Sequence, residues 1–424
     1  MSKKIALISY HTDPFSSLGG DTSGGMNVYV RELTKSFSKL GHKIDVFTRS
    51  DKIRSEKNKP LDGNSRIIRI LAGPEKKIDK NKLSNYTTKF TEQIFSFTNK
   101  EKHKYDLVIS HYWLSGIIGK KLSERWKIPL IIRFHTLGQQ KKDILNNFSF
   151  YENKNRIKTE KKLCEFSHAI VVSSKNEKRA IIKEYLIDTN KIHIIPCGVN
   201  LDFFKPKKNT KINLGLQKNT KYFLTVGRID PVKGLDLFIH SLSFLKRLNP
   251  QLKFHALHIG GEVKKKNKAC NLKSLDSGDF QSTSQKKEVK RILNLSKKFH
   301  LSDHFSFIGS KSHEELSLWY SAVDILAIPS RYETFCLVAL EAASCGLPTI
   351  GYKVGGMSES IEENFTGILV PERRTSEFAL ALNNLVADIK FSKKLGKFGR
   401  KRAQTFSWEK TAKSEIKVWE ALTV

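Results

Sequence analysis

Along this chain, short runs of aliphatic and β-branched residues alternate with stretches whose apolar positions recur every three or four residues. Such alternation predicts parallel βαβ units. Ile5-Ala6-Leu7-Ile8-Ser9 reads as a first strand, followed by a Gly-rich turn. A helix is expected from about Asn27 to Leu40, because Val30, Leu33, Phe37 and Leu40 fall at helical spacing and Gly41 supplies a stop. Ile44–Phe47 reads as the next strand, with Leu107–Ser110, Leu130–Ile132 and Ala169–Val172 after it. The first half is thus an open α/β domain.

A further strand ends near Ile194–Val199, and a polar, lysine-rich stretch runs from there to about Asn219. A second series of strands begins at Tyr222–Val226. It continues through His255–Ile259, Phe305–Ile308, Ile325–Ile328 and Thr349–Ile350. The segment from Val263 to Gln285 is rich in Lys, Ser and Asp with little periodicity, and reads as an exposed, mobile insertion. No internal sequence repeat is visible. The final segment, Ser407–Leu422, predicts an amphipathic helix with Trp408, Ala412, Ile416 and Trp419 on one side. At 424 residues the chain exceeds one ordinary core, so two α/β domains are expected, 1–205 and 206–406, with 407–424 as a terminal helix.

Composition narrows the class. No N-terminal signal peptide is visible, because Met1-Ser2-Lys3-Lys4 leads straight into a short apolar run. No apolar stretch approaches the roughly 20 residues that span a bilayer. The five cysteines, Cys164, Cys197, Cys270, Cys336 and Cys345, form no CxxC pair and read as reduced thiols of a cytoplasmic protein. A net charge of +33 admits an anionic substrate, an anionic membrane surface or nucleic acid. The lysines are dispersed over the whole chain, however, as solvated faces would have them, and no basic segment with interleaved aromatics marks a nucleic-acid site.

Three constellations carry chemistry. Gly24-Gly25-Met26-Asn27 follows the first strand and opens a helix, where close backbone approach and free N–H groups suit an anion. Many βα turns need such a glycine pair without binding anything. Gly227-Arg228-Ile229-Asp230-Pro231-Val232-Lys233-Gly234 follows the first strand of the second half and sets two cations five residues apart. Arg offers phosphate a planar fork and Lys a compact point charge, although a plain surface loop would also carry solvated cations. Glu333 and Glu341 flank an apolar segment, Thr334 to Leu340, that opens a helix after the strand Ile325–Ile328. That helix start offers N–H groups to a diphosphate, and the carboxylates could accept from sugar and ribose hydroxyls. A hydrolase with paired carboxylates competes with this reading but has no need of the Arg/Lys loop.

Taken together, these motifs resemble the retaining glycosyltransferases of the GT-B fold, of group 1 and family 4 type. Within them the likeness is to the inositol-phosphate N-acetylglucosaminyltransferases of mycothiol synthesis and to bacterial sucrose-phosphate synthases. The resemblance covers nearly the whole chain. It includes Gly24–Val30, His111-Tyr112-Trp113-Leu114-Ser115-Gly116, Phe134-His135-Thr136-Leu137, the Gly227–Gly234 loop, the two glutamates and Phe406-Ser407-Trp408. It implies two Rossmann-like domains with the active site in the cleft between them, and a terminal helix that packs back on the first domain. Arg228 and Lys233 would hold the donor diphosphate and stabilise its charge as the glycosidic bond breaks. Glu341 would bind the ribose and Glu333 the transferred sugar. Leu337 and Val338 at the helix start, with Gly25 and Asn27, would complete the donor site, and His135 would stand near the sugar.

On the acceptor side, the resemblance implies a phosphate grip by Lys80, Tyr112, Thr136 and Arg156. Cys336 stands where the family usually has Gly, which implies an altered backbone beside the diphosphate. Gly138-Gln139-Gln140-Lys141 leans towards the sucrose-phosphate-synthase pattern. The expected activity is transfer of a hexosyl group from a nucleotide diphosphate sugar, UDP-glucose or UDP-N-acetylglucosamine, to a small phosphorylated sugar or polyol. Retention without a covalent enzyme intermediate, assisted by domain closure, goes with it. The chain has no Asp-x-Asp pair, so neither metal nor cofactor is expected and Arg228 and Lys233 must neutralise the diphosphate. A membrane-surface lipid glycosyltransferase and a basic nucleic-acid-binding protein on the same fold are the competing readings. The intact Arg228, Lys233, Glu333 and Glu341 argue against the latter, so no nucleic-acid partner is expected. A weak peripheral membrane contact and a homodimer stay open.

Overall fold

The computed structural model describes residues 2–16, 24–51, 58–145, 154–264 and 275–422. Its contacts divide the chain into two units. The first gathers Met1–Ser16, Gly25–Gly198 and Trp408–Val424, and the second is chiefly Val199–Ser407.

The first unit is built on β1 (Lys4–Ile8), β2 (Lys43–Ser50), β3 (Asn58–Pro60), β4 (Ser65–Leu71), β5 (Leu107–His111), β6 (Leu130–Arg133), β7 (Ala169–Val172) and β8 (Ile192–Ile194). They form one sheet in the order β3-β4-β2-β1-β5-β6-β7-β8, parallel throughout except for β3 at the edge. Ile5 to Ile8 and Leu130 to Ile132 are continuous apolar runs with every side chain buried. Continuous burial, rather than alternation, is what a parallel strand covered by helices on both faces requires.

The second unit carries β9 (Lys221–Val226), β10 (Phe254–Ile259), β11 (Phe305–Phe307), β12 (Ile325–Ile328), β13 (Thr349–Tyr352) and β14 (Ile368–Val370). Their order is β11-β10-β9-β12-β13-β14, all parallel. By chain order this is 3-2-1-4-5-6, the doubly wound order of dinucleotide-binding folds. Each unit has its own hydrophobic core.

The structure corrects three local expectations. The helix after β1 spans Gly25–Lys39, so it starts two residues before Asn27 and includes one of the paired glycines. Val263–Gln285 is not simply an exposed insertion. Phe280 is fully buried and Leu275 nearly so, both in the second core, Val263 bridges Phe280, and Gln285 accepts the Glu262 N–H at 2.9 Å. Positions 265–274 within it, and Cys270 with them, lie outside the described residues. The last helix, Trp408–Leu422, buries Trp408, Thr411, Ala412, Glu415, Val418 and Trp419, while Ile416 is only half-buried. Among the described residues, the cysteines are free and buried, and no helix is long and apolar enough to cross a membrane.

Candidate active site

In an open parallel sheet the crevice for ligands lies beyond the strand C-termini where the chain order reverses. The reversals here fall between β1 and β5 in the first unit and between β9 and β12 in the second. Gly25 and Asn27 follow β1, Tyr112 follows β5, and His135 and Thr136 follow β6. Arg228 and Lys233 follow β9, and Glu333 follows β12.

In the second unit, local chain geometry delivers the cations. Asp230 caps a tight turn, Pro231–Lys233, by accepting the Val232 N–H at 2.9 Å. Gly234 closes it at φ 65°, and a Cβ there would stand 1.9 Å from the Pro329 carbonyl oxygen, so no larger residue fits. The turn aims Lys233 at Glu333, with Nζ 2.6 Å from Oε1, and the Ser330 hydroxyl donates to the same oxygen at 2.7 Å. Burial alone would lower the Lys233 pKa. The Glu333 carboxylate outweighs it, so the ammonium is held above its ordinary range. Arg228 is looser, 38% exposed and 3.7 Å from Asp230.

Glu341 is buried and accepts the Tyr320 hydroxyl at 3.0 Å. It lies on the helix Leu337–Ser344, whose N-terminal neighbour Cys336 has φ 72° and ψ 73°. That is left-handed backbone which ordinarily favours glycine, so Cys336 adopts a glycine-type conformation despite its side chain. Leu337 and Val338 form the half-buried first turn, where helix N–H groups lack intrahelical acceptors. Gly356 N–H donates to the Glu333 carbonyl at 2.7 Å and ties that segment down.

In the first unit, Asn27 is fully buried and its amide donates to Thr12 Oγ1 at 2.9 Å and the Asp13 carbonyl at 2.8 Å. It therefore ties the loop after β1 to the helix, while Gly25 is exposed at the helix's first position. His135 is half-buried at φ 63°, with Nε2 2.9 Å from His111 Nδ1 and its ring 5.4 Å from that of Tyr29. Burial, then His111 and Arg133, hold the His135 pKa well below its ordinary value.

Of the four residues read as an acceptor grip, Lys80 and Arg156 lie over the Tyr112 ring and Thr136 is held by Arg156. Lys80 Nζ lies 4.2 Å and the Arg156 guanidinium carbon 4.9 Å from its centroid. Arg156 donates to the Thr136 carbonyl at 2.6 Å and to Thr136 Oγ1 at 3.1 Å. It is also clamped by Glu160, at 2.6 Å from Nε. Only 1% of Arg156 is exposed, so its guanidinium is an anchored group rather than a mobile one.

A buried ionic cluster beside His135 has no counterpart in the sequence reading. Arg133 donates to the Tyr29 hydroxyl and to Ser173 Oγ at 3.0 Å, and it lies 3.6 Å from Glu415 of the last helix. Tyr29 in turn donates to Glu415. Glu177 accepts the Ser173 N–H at 2.8 Å. Burial raises the pKa of both carboxyls, against the pull of Arg133. The available signal was Glu415 itself, a charge inside the stripe formed by Thr411, Ala412, Val418 and Trp419.

Comparison with known proteins agrees with this geometry. The family described as glycosyl transferases group 1 matches residues 206–402, and glycosyltransferase family 4 matches residues 23–203. The D-inositol 3-phosphate glycosyltransferase of Pseudarthrobacter chlorophenolicus is 30% identical, covering 99% of this chain and 95% of the relative. That of Corynebacterium glutamicum is 31% identical, covering 96% and 94%. Among solved structures, sucrose-phosphate synthase from Thermosynechococcus elongatus superposes with a TM-score of 0.87 at 30% identity, covering 99% of both chains. Anabaena HepE in complex with UDP and glucose shares the fold at 17% identity, with a TM-score of 0.75 over 99% of this chain and 100% of that one. With two doubly wound parallel units and matches of this kind along its length, the chain belongs to the group 1 glycosyltransferases.

Proposed function

We propose that this glycosyltransferase moves a hexosyl group, with retention and without a metal, from UDP-glucose or UDP-N-acetylglucosamine to a small phosphorylated sugar or polyol. The observation that carries the acceptor class is the gathering of Lys80, Thr136 and Arg156 around Tyr112. Two cations on one aromatic ring, with a hydroxyl beside them, suit an acceptor that carries a dianionic phosphate. Arg156, anchored by Glu160 and Thr136, contributes fixed positive charge beside Tyr112, and Lys80 supplies adjustable charge.

On the donor side, Arg228 and Lys233 bind the diphosphate. As the bond to the sugar breaks, the leaving oxygen gains charge that these cations stabilise without reorganising. Glu333, paired with Lys233, orients the ammonium and takes a sugar hydroxyl, while Glu341 takes the ribose. Leu337 and Val338 present helix N–H groups, and Gly25, Asn27 and His135 complete the donor contacts. Metal independence is supported by the absence of an Asp-x-Asp pair and by two cations available for the neutralising task. Activity is expected to persist in excess EDTA, and its loss and recovery with magnesium or manganese would refute that part.

The test of the acceptor reading uses Lys80→Ala and Arg156→Lys. Arg156→Ala would strand Glu160, which is fully buried, and mix folding with binding. Each variant is expected to raise the KM for the phosphorylated acceptor about tenfold or more, with the donor KM nearly unchanged. Unchanged acceptor KM in both would remove the phosphate grip.

A further inference from the structure

His111, the last residue of β5, is fully buried, and its Nδ1 lies 2.9 Å from His135 Nε2. Its other nitrogen, Nε2, is buried with no partner among the described residues. The Tyr29 ring stands edge-on 5.8 Å away, and the two imidazoles are 5.1 Å apart. Burial, with Arg133 adding to it, pushes the His111 pKa down to about 3, so both rings are neutral near neutral pH.

Between two neutral imidazoles in contact, one proton sits in the hydrogen bond, and there are two ways to place it. If His135 donated, His111 would carry its proton on Nε2, leaving a buried N–H with no acceptor. If His111 donates from Nδ1, its Nε2 is left as a bare lone pair. Orphaned buried N–H groups are the rarer and costlier of the two. We propose that His111 is a positioning residue whose Nδ1–H donates to His135 Nε2, fixing His135 as the Nδ1–H tautomer. His135 then meets a ligand as a neutral hydrogen-bond donor and not as a base. Its backbone at φ 63° agrees with a ring whose placement is imposed by its surroundings. The functional half of this inference rests on the proposed place of His135 beside the transferred sugar, where it would donate to a sugar oxygen.

The experiment is long-range proton–nitrogen correlation of the full-length protein labelled in histidine, with the His135 signals assigned by their loss in His135→Asn. Wild type is expected to show His135 protonated on Nδ1 and bare on Nε2. His111→Asn places an amide NH2 where Nδ1–H was and keeps that pattern. His111→Leu removes the donor and shifts His135 towards the Nε2–H form. In turnover, kcat is expected to fall about fivefold in His111→Leu and to recover to within about twofold of wild type in His111→Asn. His135 protonated on Nε2 in wild type, or a His111→Leu spectrum identical to wild type, would overturn the proposal. Should His111→Leu fail to fold, wild type and His111→Asn decide alone. The spectra need no donor or acceptor. A tautomer found as expected, with donor kinetics untouched in His135→Ala, would therefore sink the sugar contact and leave the tautomer assignment standing.

Discussion

Lys233 and Glu333 stand 100 residues apart in sequence and 2.6 Å apart in space. The sequence made each of them a candidate, because a loop cation after a first strand and a carboxylate at a helix start are local features. Their pairing was not legible, since it depends on β9 and β12 lying side by side. The pairing also decides which substitution is informative. Lys233→Ala would leave Glu333 poorly exposed and short of its partner, so activity and stability would change together. Arg228→Ala is cleaner, since its ion pair with Asp230 is long and its side chain 38% exposed. It is expected to lower kcat by about 100- to 1,000-fold, the usual cost of losing one charge-stabilising donor, with an unchanged melting temperature. Near-normal turnover would remove Arg228 from the leaving-group role. Arg156 shows the limit of reading residues one at a time. Its type fits a phosphate grip, but only the structure shows it locked against Glu160 and Thr136.

Among the elements, strands with continuous apolar runs were legible almost to the residue, as Ala169–Val172 and Ile325–Ile328 show. Burial on both faces leaves little room for another pattern. The last helix was legible as a helix but not in its buried contents. The sequence favours Ile416 for the inner face, whereas the helix turns Glu415 inward, because Arg133 and Tyr29 supply the partners that make a buried carboxylate tolerable. The segment around Phe280 fails for a related reason, since one aromatic anchor in a polar stretch has no periodicity to announce it. Glu415→Ala strands the Arg133 guanidinium in the core and is expected to cost about 3 kcal/mol, measured by urea denaturation. Glu415→Gln, which can still accept from Tyr29, should cost less. Equal stability of all three proteins would mean that the cluster does not hold the helix.

Across the whole molecule, both sheets reverse their strand order beside the first strand of their unit, although no sequence repeat links the two halves. Strand order comes from long-range pairing and helix packing, and many unrelated sequences satisfy it. The alternation of elements therefore revealed the class, while the motifs were needed to suggest which architecture it was. The net charge of +33 has no such specificity, because a dispersed excess of lysine favours any anion. The substrate class follows instead from Lys80 and Arg156 over the Tyr112 ring, with Thr136 held by Arg156. The most direct measurement of it is release of nucleoside diphosphate from UDP-glucose and UDP-N-acetylglucosamine with matched pairs of phosphorylated and free sugars and polyols. A phosphorylated acceptor should be preferred over its free form by a factor of about 10 or more in kcat/KM, about 1.4 kcal/mol, modest for charge-assisted contacts. Equal use of the two forms would contradict the account and turn attention to acceptors that carry no phosphate at that position.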